Sequence, residues 1–228
     1  SIFFNCKNII VQYNVSENNA GGFAEILGNN WNCSYRYNVS INDGHRIKKK
    51  GVAFQEGKIF WLSGFVGKDR KRHGPYNSYF YNNTIYVDTT ITARIAIDGT
   101  STGILIANNI FCIMGASKMV LGDQNKTDKV STSVDGPVFF KNNLWYSTNA
   151  WPADAVIKDS NPKMGNPFFK NPGGLRIQDY IPGNIDFIKG KGIKIEPLSG
   201  DFLGLLQGMN PDKDILGKPI GNNPHIGA

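Results

Sequence analysis

Apolar and polar positions follow a recurring pattern along the first two thirds of the chain. Asn8-Ile9-Ile10-Val11-Gln12-Tyr13-Asn14-Val15-Ser16 and Asn32-Cys33-Ser34-Tyr35-Arg36-Tyr37-Asn38-Val39-Ser40 share the ending Tyr-Asn-Val-Ser, 24 residues apart. Related segments follow at Tyr81-Asn82-Asn83-Thr84-Ile85-Tyr86, Asn108-Asn109-Ile110-Phe111 and Asn142-Asn143-Leu144-Trp145. With Asn14, Asn38, Asn83, Asn109 and Asn143 as anchors, an apolar residue lies three positions before each: Val11, Tyr35, Phe80, Ile106 and Phe140. Another lies one or two positions after: Val15, Val39, Ile85, Ile110 and Leu144. A period in the twenties built from β-forming residues and Asn predicts a solenoid of short strands. One rung cannot bury its inward side chains alone. Rungs stacked ~4.8 Å apart share a core and satisfy one another's backbone groups. Asn suits the bends because it tolerates left-handed φ/ψ, and stacked Asn side chains can hydrogen-bond along the stack.

The anchor spacings are 24, 45, 26 and 34. The gap of 45 reads as two steps, with a further rung at Gly57-Lys58-Ile59-Phe60-Trp61-Leu62. The gap of 34 reads as one step with an insertion between Gly122 and Gly136. Two other insertions are basic. Asn42 to Gly57 carries Asp43, His45, Arg46, Lys48, Lys49 and Lys50, and Gly67 to Pro75 carries Lys68, Asp69, Arg70, Lys71, Arg72 and His73. Such loops project from a solenoid and often line its binding groove. Composition shifts near residue 151, since nine of the eleven prolines lie from Pro152 onward. The expected organisation is β-helix rungs over 1–150 and an irregular capping segment over 151–228, which covers exposed core and strand edges. The opening Ile2-Phe3-Phe4 reads as a core strand, and further rungs upstream are expected.

These residues resemble right-handed parallel β-helix repeat proteins of Bacteroidetes-type bacteria. The resemblance rests on Tyr-Asn-Val-Ser, Asn42-Asp43-Gly44, Tyr81 to Tyr86 and Gly21-Gly22-Phe23. It extends to the ending Leu216-Gly217-Lys218-Pro219 with Pro224-His225-Ile226-Gly227-Ala228, where His225 stands for the usual Asp. It implies an all-β, right-handed parallel β-helix and a secreted, periplasmic or cell-surface protein tied to glycan breakdown. No catalytic motif of the group matches, so no catalytic residue carries over.

Composition sharpens the class of partner. The net charge of +7 favours an anionic one. No nucleic-acid-binding signature or basic amphipathic helix is present, and no apolar run suits membrane insertion. An acidic polysaccharide is therefore the expected partner of a monomer. The three cysteines, Cys6, Cys33 and Cys112, have no C-x-x-C spacing and read as buried free thiols.

Three chemistries compete. A uronate lyase needs a base and a cation that stabilises the carboxylate-derived anion, for which Arg36, His45, Arg46 and Lys58 are candidates, with Arg36 two positions before its anchor and pointing off the core. A glycosidase needs paired carboxyls. Glu25, among apolar neighbours, is the candidate for a raised pKa. A non-catalytic glycan-binding or structural module would use Trp31, Tyr37 and Trp61 for stacking, and Lys48, Lys68, Arg70 and Arg72 for anionic groups. Asp43 is the candidate ligand if Ca²⁺ takes part, although no Asp-x-Asp-x-Asp loop accompanies it.

Overall fold

The computed structural model describes residues 2–3, 5–46, 56–121, 136–147, 151–152, 155, 157–183, 185–205 and 208–228. The chain is all-β, and its strands recur in threes. The first rung holds β1 (Ile2–Phe3), β2 (Ile10–Gln12) and β3 (Val15–Glu17). The second holds β4 (Ala24–Ile26), β5 (Ser34–Arg36) and β6 (Val39–Ile41). The third holds β7 (Lys58–Leu62), β8 (Tyr76–Tyr81) and β9 (Thr84–Val87). The fourth holds β10 (Ala93–Ile97), β11 (Thr102–Ala107) and β12 (Ile110–Ile113). The fifth holds β13 (Ser117–Leu121), β14 (Val138–Lys141) and β15 (Leu144–Trp145), and β16 (Lys163–Met164) follows. First, second and third members pair in parallel into three sheets. Sheet A is β1-β4-β7-β10-β13, sheet B is β2-β5-β8-β11-β14, and sheet C is β3-β6-β9-β12-β15-β16.

All three sheets feed one core. Ile26, Phe60, Ile95 and Met119 come from sheet A, Tyr35, Phe80, Ile106 and Phe140 from sheet B, and Ile85, Phe111 and Trp145 from sheet C. Aromatic residues stack rung on rung inside, as in Phe111–Trp145 at 4.4 Å and Tyr35–Phe80 at 5.3 Å between ring centroids.

The anchor asparagines form a ladder between sheets B and C, exposed at Asn14 and buried from Asn38 to Asn143. Each amide donates to the carbonyl oxygen of the next: Asn14 to Asn38 at 3.0 Å, Asn38 to Asn83 at 3.0 Å, Asn83 to Asn109 at 2.9 Å, and Asn109 to Asn143 at 2.9 Å. The second N–H of Asn83, Asn109 and Asn143 reaches a main-chain carbonyl, those of Tyr35, Phe80 and Ile106. Asp159 takes the next place, accepting from Asn143 Nδ2 at 2.8 Å. The bend itself is made one residue earlier. Tyr13, Tyr37, Asn82, Asn108 and Asn142 hold φ between 52° and 59°, and the anchors do not. Asn82, Asn108 and Asn142 add an outer ladder that ends on Asn161.

The gap of 45 is a single rung, contrary to the two expected. Asn38 bonds Asn83 directly, β5 pairs with β8 and β6 with β9. Lys58–Leu62 is the sheet A strand of that same rung, and the extra length lies in the connections on either side of it. The insertion expected between Gly122 and Gly136 lies almost wholly outside the described residues.

Trp151, Ala155 and Ile157 pack against the main core, and the described residues from Phe169 onward lie along the far faces of sheets B and C. On sheet C, Val39, Ile41, Tyr86, Ile110 and Cys112 pack against Phe169, Tyr180, Ile188 and Ile226. On sheet B, Tyr79, Tyr81, Leu105 and Ala107 pack against Ile195, Leu205 and Met209. The outer Asn ladder pins it as well. Asn108 Nδ2 donates to the Ile193 carbonyl at 2.7 Å and Asn82 Nδ2 to the His225 carbonyl at 2.6 Å. Among the described residues, no helix is long and apolar enough to cross a membrane.

The thiols are free, with Cys33 and Cys112 buried and Cys6 half-buried. Burial pushes Cys33 up to about 11 and Cys112 up to about 12. Burial also pushes Tyr81 up to about 12 against the opposing Arg36 guanidinium. These groups fold protonated, so their contribution is complete below the unfolded values of 9.0 and 10.0 and is lost as pH rises through the folded ones. The expected melting temperature is flat from neutral pH to pH 9 and falls steeply between pH 10 and 12, measured by circular dichroism. A midpoint unchanged at pH 12 would contradict this account.

Candidate functional site

Sheet A turns one face to the core and carries the candidate chemistry on the other. The register pairs Glu25 with Trp61 and Trp61 with Ala96, which pairs with Val120. Trp61, Ala96 and Val120 form a buried cluster away from the main core. Glu25 therefore shares the face of Trp61. Lys58 lies there too, its Nζ 4.1 Å from the centre of the Trp61 ring. The connection into β4 passes so close to β7 that a Cβ on Gly22 would sit 2.0 Å from the Lys58 carbonyl oxygen. Glycine at this position permits the approach that seats Glu25 beside Lys58.

Glu25 is 7% exposed. Burial raises its pKa above the usual glutamate value, while Arg46 and Lys58 pull it back. Arg46 arrives on the connection out of sheet C, its backbone N–H bonded to the Ala20 carbonyl at 2.9 Å. Glu25 and Arg46 both line a cavity of about 230 Å³ at the first two rungs, with Asn14, Ser16, Asn19, Gly21, Gly22, Phe23, Tyr35 and Asn38 among its walls. Among the described residues they are its only carboxyl and its only guanidinium.

No protein-family model matches this chain, and no curated protein does. The site is therefore read from its own chemistry.

Asp43 lies just behind the cavity wall and is 1% exposed. Its Oδ2 accepts from the Ser16 and Ser40 hydroxyls, and its Oδ1 accepts from Asn19 N and Asn19 Nδ2 at 2.9 Å each. Four bonds use the carboxylate's four acceptor positions, so Asp43 fixes the turn and has no lone pair left for a cation. Among the described residues no group of three or more His, Cys, Asp or Glu side chains is placed to hold a metal.

The other nominated residues lie elsewhere. Arg36 is on sheet B under the C-terminal segment and is 4% exposed. Its Nε donates to Gln12 Oε1 at 2.8 Å and its Nη1 to the Tyr81 hydroxyl at 2.9 Å. The Tyr81 hydroxyl in turn donates to the Met209 carbonyl, which makes Arg36 a post for that segment. Tyr37 is buried on the same face, edge-on to Tyr81. Trp31 is half-buried and stacks on Tyr76 with ring centroids 4.1 Å apart. Arg72 binds the Asp98 carboxylate through Nε, at 2.9 Å, and Nη2. It ties its loop to a buried acid, whereas Lys68 and Arg70 are exposed. His45 is exposed next to Arg46. Lys48 lies outside the described residues. The structure thus joins Glu25, Arg46 and Lys58 and separates Arg36 from them.

The asparagine repeat does not point to Arg94 and Lys118. The register pairs Arg94 with Lys58 on one side and with Lys118 on the other. A signal for them exists in the chain, in three strands that each carry a cation at the first or second position: Lys58 in β7, Arg94 in β10 and Lys118 in β13.

Proposed function

We propose that the three sheets are the faces of a right-handed parallel β-helix, and that this exported protein cleaves an acidic polysaccharide by elimination at the Glu25–Arg46 cavity. The observation that carries the reading is a cavity with one buried carboxyl and one guanidinium. Elimination beside a uronate carboxylate needs one base and one cation. The Glu25 carboxylate takes the C5 proton, the C5–H electron pair forms the C4=C5 double bond, and the C4–O bond breaks. The departing oxygen leaves with that bonding pair and takes up a proton from water. Arg46 stabilises the negative charge that builds on the uronate carboxylate. A raised carboxyl pKa brings the base closer to the basicity that proton abstraction requires. Hydrolysis needs two opposed carboxyls. Asp43, behind the cavity wall, has all four acceptor positions filled by Ser16, Ser40 and Asn19. The net charge of +7 agrees with an acidic substrate.

The test is incubation with polygalacturonate, alginate, chondroitin sulfate, heparin and neutral glycans. Both the ultraviolet absorbance of an unsaturated uronate and the release of reducing ends are followed. The expected result is new absorbance on an acidic glycan that is lost in Arg46→Ala. Reducing ends without absorbance would move the chemistry to hydrolysis. No product from any glycan, with binding to an acidic one retained, would leave a binding module.

A further inference from the structure

Four tyrosines cluster on the outer side of sheet B and at the bend beyond it, and three of them bond the C-terminal segment. The Tyr13 hydroxyl donates to the Lys213 carbonyl at 2.6 Å, that of Tyr79 to the Asp201 carboxylate, and that of Tyr81 to the Met209 carbonyl. Tyr37 is the exception. It is 4% exposed, and among the described residues its hydroxyl makes no hydrogen bond. A tyrosine this buried normally gives its O–H a partner. Burial raises its pKa, so the group is a protonated donor at neutral pH. Its ring lies against Tyr13 and Tyr81, with centroids 6.1 and 6.3 Å away, so the hydroxyl and not the ring face is what it offers a ligand.

Tyr37 borders two cavities. One, of about 30 Å³, has room for about one water molecule. The other, of about 430 Å³, falls within the ~300–1,000 Å³ range of small-ligand sites. Tyr37 and Pro224 are its buried floor, Pro211 and Ile220 its half-buried sides, and Lys194, Asp212 and Asn222 its exposed rim. The walls are tied to one another. Asn210 clamps Ile195, accepting from its N–H at 3.2 Å and donating to its carbonyl at 3.1 Å, which joins the Lys194 side to the Pro211 side. Ile220 N donates to the Asp212 carbonyl at 2.8 Å. A site held in shape before the ligand arrives spends less on ordering when it binds.

The lining sorts the ligand. Lys194 lies 3.6 Å from the Glu196 carboxylate and Asp212 adds a carboxylate of its own, so the rim has no excess of positive charge to attract an anion. A carboxylate accepts, an amide both donates and accepts, and a tyrosine hydroxyl does both, a set that suits neighbouring hydroxyl groups. The proline and isoleucine sides suit C–H surface. A sugar ring without a charged group presents both.

We propose that this cavity binds a neutral hexose unit, with the Tyr37 hydroxyl at the floor and Asp212 and Asn222 at the rim bonding its hydroxyls. The site shares no lining residue with the Glu25–Arg46 cavity and does not depend on cleavage there.

The experiment titrates the full chain with D-galactose, D-glucose and D-mannose by saturation-transfer NMR, with D-galacturonate as the anionic comparison. Melting temperatures are recorded alongside. At least one neutral hexose is expected to bind saturably, and more tightly than galacturonate. Tyr37→Phe is expected to weaken that binding ~3–10-fold and Asp212→Asn ~10-fold or more, the scales for losing a hydrogen bond to a neutral and to a charged group. Lys71→Gln, in an exposed loop elsewhere, should match the parent. Both site variants should melt near the parent, since Tyr37→Phe gives up no hydrogen bond within the described protein and Asp212 is exposed. Arg46→Ala should bind the hexose as the parent does, whether or not any glycan is cleaved. No saturable binding of the three hexoses, or binding unchanged in both Tyr37→Phe and Asp212→Asn, would overturn the site. Tighter binding of galacturonate would overturn the neutral assignment. Loss of hexose binding in Arg46→Ala would move the sugar to the other cavity. A large fall in the melting temperature of Tyr37→Phe would assign its hydroxyl to the fold and overturn its role as a ligand donor.

Discussion

Asn83→Ala is expected to destabilise the protein by ~4 kcal/mol, lowering the melting temperature by about 10 °C for a chain of this size. Asn83 is fully buried. Its Oδ1 accepts from Asn38 N at 3.1 Å and Asn38 Nδ2 at 3.0 Å, and its Nδ2 donates to the Tyr35 carbonyl at 3.0 Å and to Asn109 Oδ1 at 2.9 Å. Alanine removes all four bonds; Asn109 Oδ1 keeps the Asn83 backbone N–H and Asn38 Nδ2 keeps the Val11 and Arg36 carbonyls, but Asn38 N and the Tyr35 carbonyl lose these partners where water does not reach. The cost of stranding a buried partner exceeds the net value of the bond lost, and the neighbours cannot re-pair because each is held by its own rung. Asn223→Ala, at an exposed position, is expected to leave stability unchanged. Chemical denaturation monitored by intrinsic fluorescence reads both. A loss below about 1 kcal/mol for Asn83→Ala would show that the ladder is not a main support of the stack.

Glu25→Gln is expected to reduce turnover at neutral pH by ~10²-fold or more, the usual scale for removing a general base. The variant should nonetheless fold as well as its parent. Burial raises the Glu25 pKa above the usual 4.5, so its stabilising contribution is complete below the unfolded value and lost as pH rises through the folded one. At neutral pH the parent holds a charge in a site that disfavours it, and the amide does not. The melting temperature of Glu25→Gln should equal or exceed the parent's at pH 7 and converge with it in acid. The parent's kcat/KM should rise with pH through an apparent pKa above 4.5, since the base acts deprotonated. Full turnover in the variant would remove Glu25 from the reaction. A large fall in melting temperature at pH 7 would assign it a structural role.

The repeat was legible because the ladder admits one residue type. Asn occupies 14, 38, 83, 109 and 143, whereas the position before each accepts Tyr or Asn. Left-handed tolerance and ladder bonding both favour Asn, and the doublets Asn82-Asn83, Asn108-Asn109 and Asn142-Asn143 fill both roles at once. Tyr13-Asn14 and Tyr37-Asn38 separate them: the bend accepts a tyrosine and the ladder does not. The gap of 45 was misread because one long rung and two short ones have the same length. The direct Asn38–Asn83 bond and the pairings of β5 with β8 and β6 with β9 distinguish them.

The site was legible in part for the same reason. Strand parity correctly sends Arg36 away from the core. What covers it is Met209 and its neighbours, more than 150 residues later, and no local pattern reports that. Glu25 stood out as an acid in an apolar stretch. Its meeting with Arg46 depends on the connection whose Arg46 N–H bonds the Ala20 carbonyl, a three-dimensional fact. Arg94 and Lys118 went unnoticed because the anchors index sheets B and C, and sheet A drifts against them as the connections change length.

The Asn ladder has a direction. Every side-chain amide from Asn14 to Asn143 points its N–H the same way, so the row is a line of dipoles with its positive end at Asn143. A carboxylate, Asp159, stands at that end, in the same sense as an acidic residue at the start of an α-helix. An ionised carboxylate accepts hydrogen bonds and donates none. A further layer laid on this end would meet an oxygen where each earlier layer met a donor. Growth of the stack is therefore one-way by chemistry, and the terminal aspartate acts as a stop that a single added amide, in Asp159→Asn, would remove.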